Sequence, residues 1–258
     1  MKLKDKVALV TGSGRGIGQA IAVAFAEEGA DVIVAARSVD QLEETVKKIE
    51  ATGRKGFAVP ADLSQRSTVG AFVEKIAANY PAINILVNNA GLGSGMNAKL
   101  VVDFDDDFWD MSIGLNLTTP YLLTKAFLPA MIKAGWGRVI NISSVIGKMG
   151  YPTGAAYSAS KHGLIGLTRT AALETATTGV TVNAICPGPI RTPMLARRIQ
   201  VSAEMQNVSI EEMEKSLNPM QRLLETEEVA SMAVFLAADT AKSITGQSYN
   251  VCGGFIMH

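Results

Sequence analysis

Short apolar runs alternate along this chain with longer stretches in which apolar residues recur every three or four positions. The runs Val7–Val10, Val32–Ala36, Gly56–Val59, Ile85–Val87, Val139–Ile142, Val180–Ile185 and Ser248–Val251 predict strands. Several are continuously apolar, as strands buried on both faces of a parallel sheet are. The stretches Ile17–Glu28, Val39–Thr52, Gln65–Tyr80, Phe104–Ala134, Ala155–Thr177 and Thr226–Ala237 predict helices. Repeated strand-helix alternation predicts an α/β fold, a doubly wound parallel sheet of about seven strands with helices on both faces. No internal repeat, low-complexity tract or linker breaks the chain, so residues 1–258 are expected to form a single domain. One segment departs from the rhythm. Residues 190–222 carry Met194, Met205, Met213 and Met220 among many charges and predict a long irregular connection. Such connections are usually lids or binding loops. The competing expectation is two short packing helices with methionine as filler.

Hydrophobic residues make up 48% of the 258, enough for one sizeable core. Lys+Arg and Asp+Glu balance at 24 each, so no overall basic field exists to hold a nucleic-acid backbone. The N-terminal apolar run is too short for a signal peptide, and no later run is long enough to cross a bilayer. Cys186 and Cys252 form no CxxC and no disulfide framework, which points to a reducing cytoplasm. With only His162 and His258 beside them, no standard metal-ligand spacing arises, and no metal is expected. The acidic run Asp103–Asp107 suits the first turn of a helix, where carboxylates meet the positive end of the helix dipole. Trp109 and Trp136 are expected to pack, and His162 to face away from Lys161.

Three motifs carry the chemistry. Thr11-Gly-Ser-Gly-Arg-Gly-Ile-Gly18 follows the first strand and opens a helix, where backbone N–H groups and the dipole favour a phosphate. Ser144 closes Asn-Ile-Ser-Ser, 13 residues before Tyr157-Ser-Ala-Ser-Lys161. Tyr157 and Lys161 are four apart and share a helix face. A phenol titrates near 10 in its reference state. An ammonium about 4 Å away, at an effective dielectric near 20, is worth about 4 kcal/mol, or roughly three pKa units. The lysine is therefore expected to bring the tyrosine into the range of acid/base work.

In this order and over nearly its full length, the chain resembles the short-chain dehydrogenase/reductase family, whose fold is a Rossmann-type sheet. The resemblance implies catalytic roles for Asn116, Ser144, Tyr157 and Lys161. It implies dinucleotide contacts from Gly12, Ser13, Arg15, Gly16, Ile17 and Gly18 in the loop, and from Arg37 and Ser38 after the second strand. Asp62 and Leu63 would meet the adenine, and Asn89, Ala90 and Gly91 its ribose. Lys161 and Tyr157 would meet the nicotinamide ribose, with Pro187, Gly188, Ile190 and Thr192 at the nicotinamide. The position where NAD-preferring enzymes hold an acid is Ala36, and Arg37 follows it. With Arg15, this predicts NADP as the cofactor, NAD remaining possible.

The implied activity is hydride transfer between NADP(H) and a small carbonyl or alcohol, with ketone reduction as the expected direction. The alternatives are an NAD-dependent alcohol or diol dehydrogenase, a β-ketoacyl reductase, and a non-catalytic NADP-sensing regulatory protein. An epimerase would need a longer C-terminal substrate domain. Carrier-docking arginines of the β-ketoacyl reductases match Gly135 and Leu173 here, which favours a free small substrate. Leu92, Val145, Met149, Tyr151, Met194 and Leu195 are the expected pocket walls. Only Lys148 and Arg191 are basic nearby in sequence, which disfavours an anionic substrate. The family also implies a homotetramer or homodimer, with Leu164, Leu167 and Ala171 as the apolar stripe of the contact.

Overall fold

The computed structural model describes residues 1–80 and 82–258. Seven strands form one parallel sheet: β1 (Val7–Thr11), β2 (Asp31–Ala36), β3 (Gly56–Pro60), β4 (Ile85–Asn88), β5 (Gly137–Ile142), β6 (Val180–Pro187) and β7 (Ser248–Val251). Their spatial order is β3-β2-β1-β4-β5-β6-β7. The predicted doubly wound sheet is therefore what forms, on every strand anticipated from the apolar runs.

Side-chain alternation divides each central strand between two cores. Ala8 and Val10 of β1 join Val32 and Val34 of β2 in one cluster, with Ile21 and Phe25 of α1 (Gly16–Glu27) and Val229 and Ala233 of α9 (Thr226–Ala237). Leu9, Ile33, Ala35 and Leu86 face the other way. They pack with Phe72 and Ile76 of α3 (Arg66–Asn79) and Leu123 and Phe127 of α5 (Thr119–Ala134). Fully burying one such aliphatic or aromatic side chain contributes about 1.5–3 kcal/mol, so the two layers hold the sheet from both faces.

From β1 the chain winds outward through α2 (Val39–Glu50) to β3, then returns to place β4 on the other side of β1. The reversal opens a crevice at the carboxyl ends of β1 and β4, where open α/β sheets bind ligands.

Two predicted elements differ. The single helix expected over Phe104–Ala134 is three pieces: α4 (Asp106–Ile113), a π-helical turn Gly114–Thr118, and α5. Asp105 caps α4 by accepting from Phe108 N–H at 2.7 Å, so the acidic run does serve a helix start. Residues 190–222 are not irregular. They hold α7 (Pro193–Gln206) and α8 (Ile210–Ser216), the latter begun by a capping box between Ser209 and Glu212. Ile199, Ala203, Met213 and Leu223 form a small core of their own. Met194, Met205 and Met220 are exposed, so only one of the four methionines is filler. The remaining long helix, α6, runs Ala155–Thr175.

Candidate active site

The turn from β1 to α1 is locked from the β4 side. Asn89 Nδ2 donates to the carbonyls of Thr11 and Gly12 at 2.9 and 3.1 Å. Thr11 Oγ1 in turn accepts from the N–H groups of Asn89 and Ala90. Gly12 takes φ +64°, and a Cβ there would lie 2.8 Å from Ala90 Cα. A Cβ on Gly18 would collide with Asn89 Nδ2 and the Gly12 carbonyl. These glycines are thus required by loop packing before any ligand is considered. Ser13 is fully buried, donating to Val10 O at 2.8 Å and accepting from Ala35 N–H at 2.9 Å. It stitches β1 to β2 and is not among the residues that line the cleft.

The cleft above this turn fits a phosphorylated dinucleotide. Arg15 precedes α1 without a side-chain cap, and Ser38 precedes α2 in the same way. Both helix N-termini therefore present unpaired N–H groups to one space of about 520 Å³. Gly12, Arg15, Gly16, Ile17, Gly18, Arg37, Ser38, Asp62, Leu63, Asn89, Ala90, Gly91 and Thr192 all line it, as anticipated. Arg15 and Arg37 are exposed, with no ion-pair partner among the described residues. Ala36 lies beside them, with Gln41, which the motif reading did not single out. Asp62 accepts from Ser64 N–H at 2.9 Å, which with the nearby Arg37 charge holds its carboxyl below the usual carboxylate range. It caps no helix, since α3 begins after Gln65.

A second cavity, about 240 Å³, continues from the first through Ile17, Asn89, Gly91 and Thr192. It brings together Ser144 from the exit of β5, Tyr157 and Lys161 from α6, and Pro187, Gly188 and Ile190 from the exit of β6. Ser144 Oγ accepts from Ile146 N–H at 3.1 Å, which fixes the oxygen and leaves its O–H free to donate. Ser143, the neighbouring serine, is turned inward and donates to Lys161 O at 3.1 Å.

Lys161 is buried on α6, its Nζ donating to Ile142 O at 2.7 Å and lying 5.7 Å from the Tyr157 ring centroid. Burial lowers its ammonium to about 8. Tyr157 is not brought down as expected. Burial pushes the phenol above its ordinary value and outweighs the opposing Ser144 hydroxyl. Desolvation, absent from the Coulomb argument, decides the sign.

Asn116 sits fully buried in the π turn and lines neither cavity. Its Nδ2 donates to Leu92 O at 3.1 Å and to Ser160 Oγ at 3.1 Å, and its Oδ1 accepts from Leu92 N–H at 2.8 Å. It braces the segment after β4 against α6, so its place is behind the site.

Leu92, Val145, Tyr151, Met194 and Leu195 line the second cavity as expected, whereas Met149 does not. Lys148 is spent on the Ser248 and His258 carbonyls, and Arg191 pairs with Glu225. Besides Lys161, the basic residue that lines the cavity is Arg198, one turn after Leu195 on α7. The sequence motifs do not single it out, although its three-residue spacing from Leu195 was a usable signal. Among the described residues no cluster of His, Cys, Asp or Glu could hold a metal, and no helix is long and apolar enough to cross a membrane.

The family described as short chain dehydrogenase matches residues 6–203. A D-beta-hydroxybutyrate dehydrogenase of Cupriavidus necator is 35% identical, over 98% of this chain and 99% of its own length. A 3-oxoacyl-(acyl-carrier-protein) reductase of Staphylococcus epidermidis is 37% identical, over 98% of this chain and all of its own. A crystal structure of actinorhodin polyketide ketoreductase with NADPH superposes with a TM-score of 0.90 at 37% identity, over 97% of each chain.

Proposed function

Because this chain belongs to the short-chain dehydrogenase family, we propose that it is an NADP(H)-dependent oxidoreductase that reduces a small ketone to an alcohol. The observation that carries this is the convergence of Ser144, Tyr157 and Lys161 on one cavity continuous with the glycine-loop cleft. NADP(H), when bound, supplies or takes the hydride. The N-terminus of α1 would hold its pyrophosphate, and Arg15, Arg37 and Ser38 its 2′-phosphate, paired by charge-assisted hydrogen bonds. Asp62, Leu63, Asn89, Ala90 and Gly91 lie where the adenosine would be, and Pro187, Gly188, Ile190 and Thr192 where the nicotinamide would be.

In reduction, the Tyr157 O–H donates its proton to the substrate oxygen. Its raised pKa keeps it protonated at neutral pH, the state this step requires. Ser144 donates a hydrogen bond to the same oxygen, held in place by Ile146 N–H. The Lys161 ammonium then offsets the phenolate until a solvent proton replaces the one given up. Asn116 is a positioning residue, acting through Leu92 and Ser160.

A carrier-bound substrate is less well supported. Leu173, at a position where the resembling reductases dock the acidic carrier, is a leucine 80% exposed on α6. The two thiols, Cys186 and Cys252, are free, which supports a reducing compartment such as the cytoplasm. A homo-oligomer is part of the reading, but not through the stripe first expected. Leu164 and Ala171 are buried in the chain's own core and Leu167 is half-buried, and on the two long helices the exposed apolar side chains are Tyr121 and Ile132 on α5 and Leu173 on α6. Steady-state rates with NADPH and NADH across a panel of ketones test the activity. Tight NADP binding without turnover of any of them would leave the sensing protein as the better reading.

A further inference from the structure

Arg198 gives the substrate cavity a charge that its walls do not answer. Lys161 and Arg198 are the charged residues lining it, and neither an aspartate nor a glutamate does. Lys161 is already committed to the Ile142 carbonyl. Arg198 has no carboxylate within ion-pair distance among the described residues. Its one side-chain bond is from Nη2 to Thr153 Oγ1 at 3.3 Å. Its Nε is buried with no hydrogen-bond partner among the described residues.

The group is nonetheless held in place. The guanidinium lies over the Tyr151 ring, 5.0 Å from its centroid. Thr153, which receives its hydrogen bond, has φ +60°, a conformation a β-branched residue adopts only under constraint. Arg198 follows Leu195 on the cavity face of α7, while Ile199 beside it anchors the helix in its own small core. A half-buried guanidinium with an orphaned N–H is unfavourable unless an acceptor completes it, and its positive charge makes an anionic acceptor the stronger partner. A planar fork with unused donors suits a carboxylate in particular.

Building on the reductase reading, we propose that Arg198 anchors a carboxylate of the substrate, so that the natural substrates are small keto acids and the hydroxy acids they yield. The carboxylate is unchanged in the reaction. A hydride reaches the carbonyl carbon, and the Tyr157 proton reaches the oxygen. The apolar walls, among them Val145, Leu195 and Phe255, then enclose the carbon chain between the two polar ends.

The test pairs short keto acids with their methyl esters, using NADPH and NADH and the intact protein. For at least one pair, the acid should exceed its ester in kcat/KM by about ten- to a hundred-fold. Arg198→Met should collapse that ratio toward one, mainly through KM, and Arg198→Lys should keep part of it as a point charge. Melting curves confirm that the variants fold. A second arm reads binding without turnover: calorimetric titration of the protein with NADP⁺ by a short alkanoate, its primary amide and inorganic phosphate. The alkanoate should bind best, and Arg198→Met should abolish its advantage. Equal rates for acid and ester, an equal loss of both in Arg198→Met, or phosphate binding as tightly as the alkanoate would each overturn the assignment. Alkanoate binding through Arg198 with no turnover of any ketone would uphold the anchor and sink the reductase reading instead.

Discussion

Asn116 clasps both backbone groups of Leu92, accepting from its N–H at 2.8 Å and donating to its carbonyl at 3.1 Å. The clasp is available because the π turn directs this side chain back into the protein, between the β4 exit and Ser160 of α6. Asn116→Ala leaves the two Leu92 groups without their partners in a partly buried setting, at up to about 1–3 kcal/mol for each group left unsatisfied. The denaturant midpoint should fall by an amount equivalent to about 2–4 kcal/mol. A loss well under 1 kcal/mol would show that water replaces the clasp and that the turn has another purpose.

Tyr157→Phe should cut turnover by about 10²–10⁴-fold, the size of a lost proton-transfer step, while NADPH affinity stays within a few-fold. Single-turnover rates and fluorescence titration separate the two quantities. Retention of more than about a tenth of the activity would remove Tyr157 as the acid.

The direction of the Tyr157 shift gives a pH dependence. Oxidation of the alcohol needs the phenolate, and burial holds the phenol protonated to a higher pH than usual. Oxidative kcat/KM should therefore climb throughout the range from about pH 7 to 10, while reductive kcat/KM shows no such rise. An oxidative profile that levels off below pH 8 would mean that the phenol titrates low after all.

Cofactor choice turns on Ala36 and Arg37. Ala36→Asp with Arg37→Ala places a carboxylate against the 2′-phosphate and removes a charge-assisted pair worth about 1.5–3 kcal/mol. The NADPH-to-NADH ratio of kcat/KM should drop by about ten- to a hundred-fold or more. A parent protein that already favours NADH would refute the assignment without any mutation.

Sedimentation at micromolar concentration should show a species larger than the 27.2 kDa chain. Adding a charge at the exposed Tyr121 or Ile132 should shift it toward the monomer. A 27.2 kDa species for the parent protein counts against assembly.

The inner strands were legible because burial on both faces leaves a largely apolar run, and that run survives any detail of packing, whereas the edge strands β3 and β7 are only partly buried. The turn at Gly114–Thr118 was not, since one extra residue in a helical turn barely disturbs a 3.6-residue period. Leu164 and Ala171 show a related limit: periodicity marks an apolar face but not whether the chain's own sheet or a second copy covers it. Helices α7 and α8 bury few side chains, so their pattern is faint against the charges around it. The motif residues fell into the cleft almost entirely, with Ser13 and Asn116 behind it. Arg198 enters from a helix more than thirty residues beyond Lys161, and only the folded chain brings the two to one cavity. The Tyr157 shift was misjudged for a different reason, since a Coulomb estimate from spacing contains no burial.

The bonds that tie Asn89 and Ala90 to Thr11 and Gly12 bear on when the order of the glycine loop is acquired. Fixing the backbone of one residue costs about 1–2 kcal/mol in conformational entropy at 25 °C. With the Thr11 and Gly12 carbonyls already bound by Asn89, that loss is incurred during folding. A dinucleotide then meets a rigid receptor, and the loop adds little ordering penalty to binding. Loosening Asn89 would leave every contact atom present and still weaken affinity, because the disorder removed in folding would have to be removed again at each binding event.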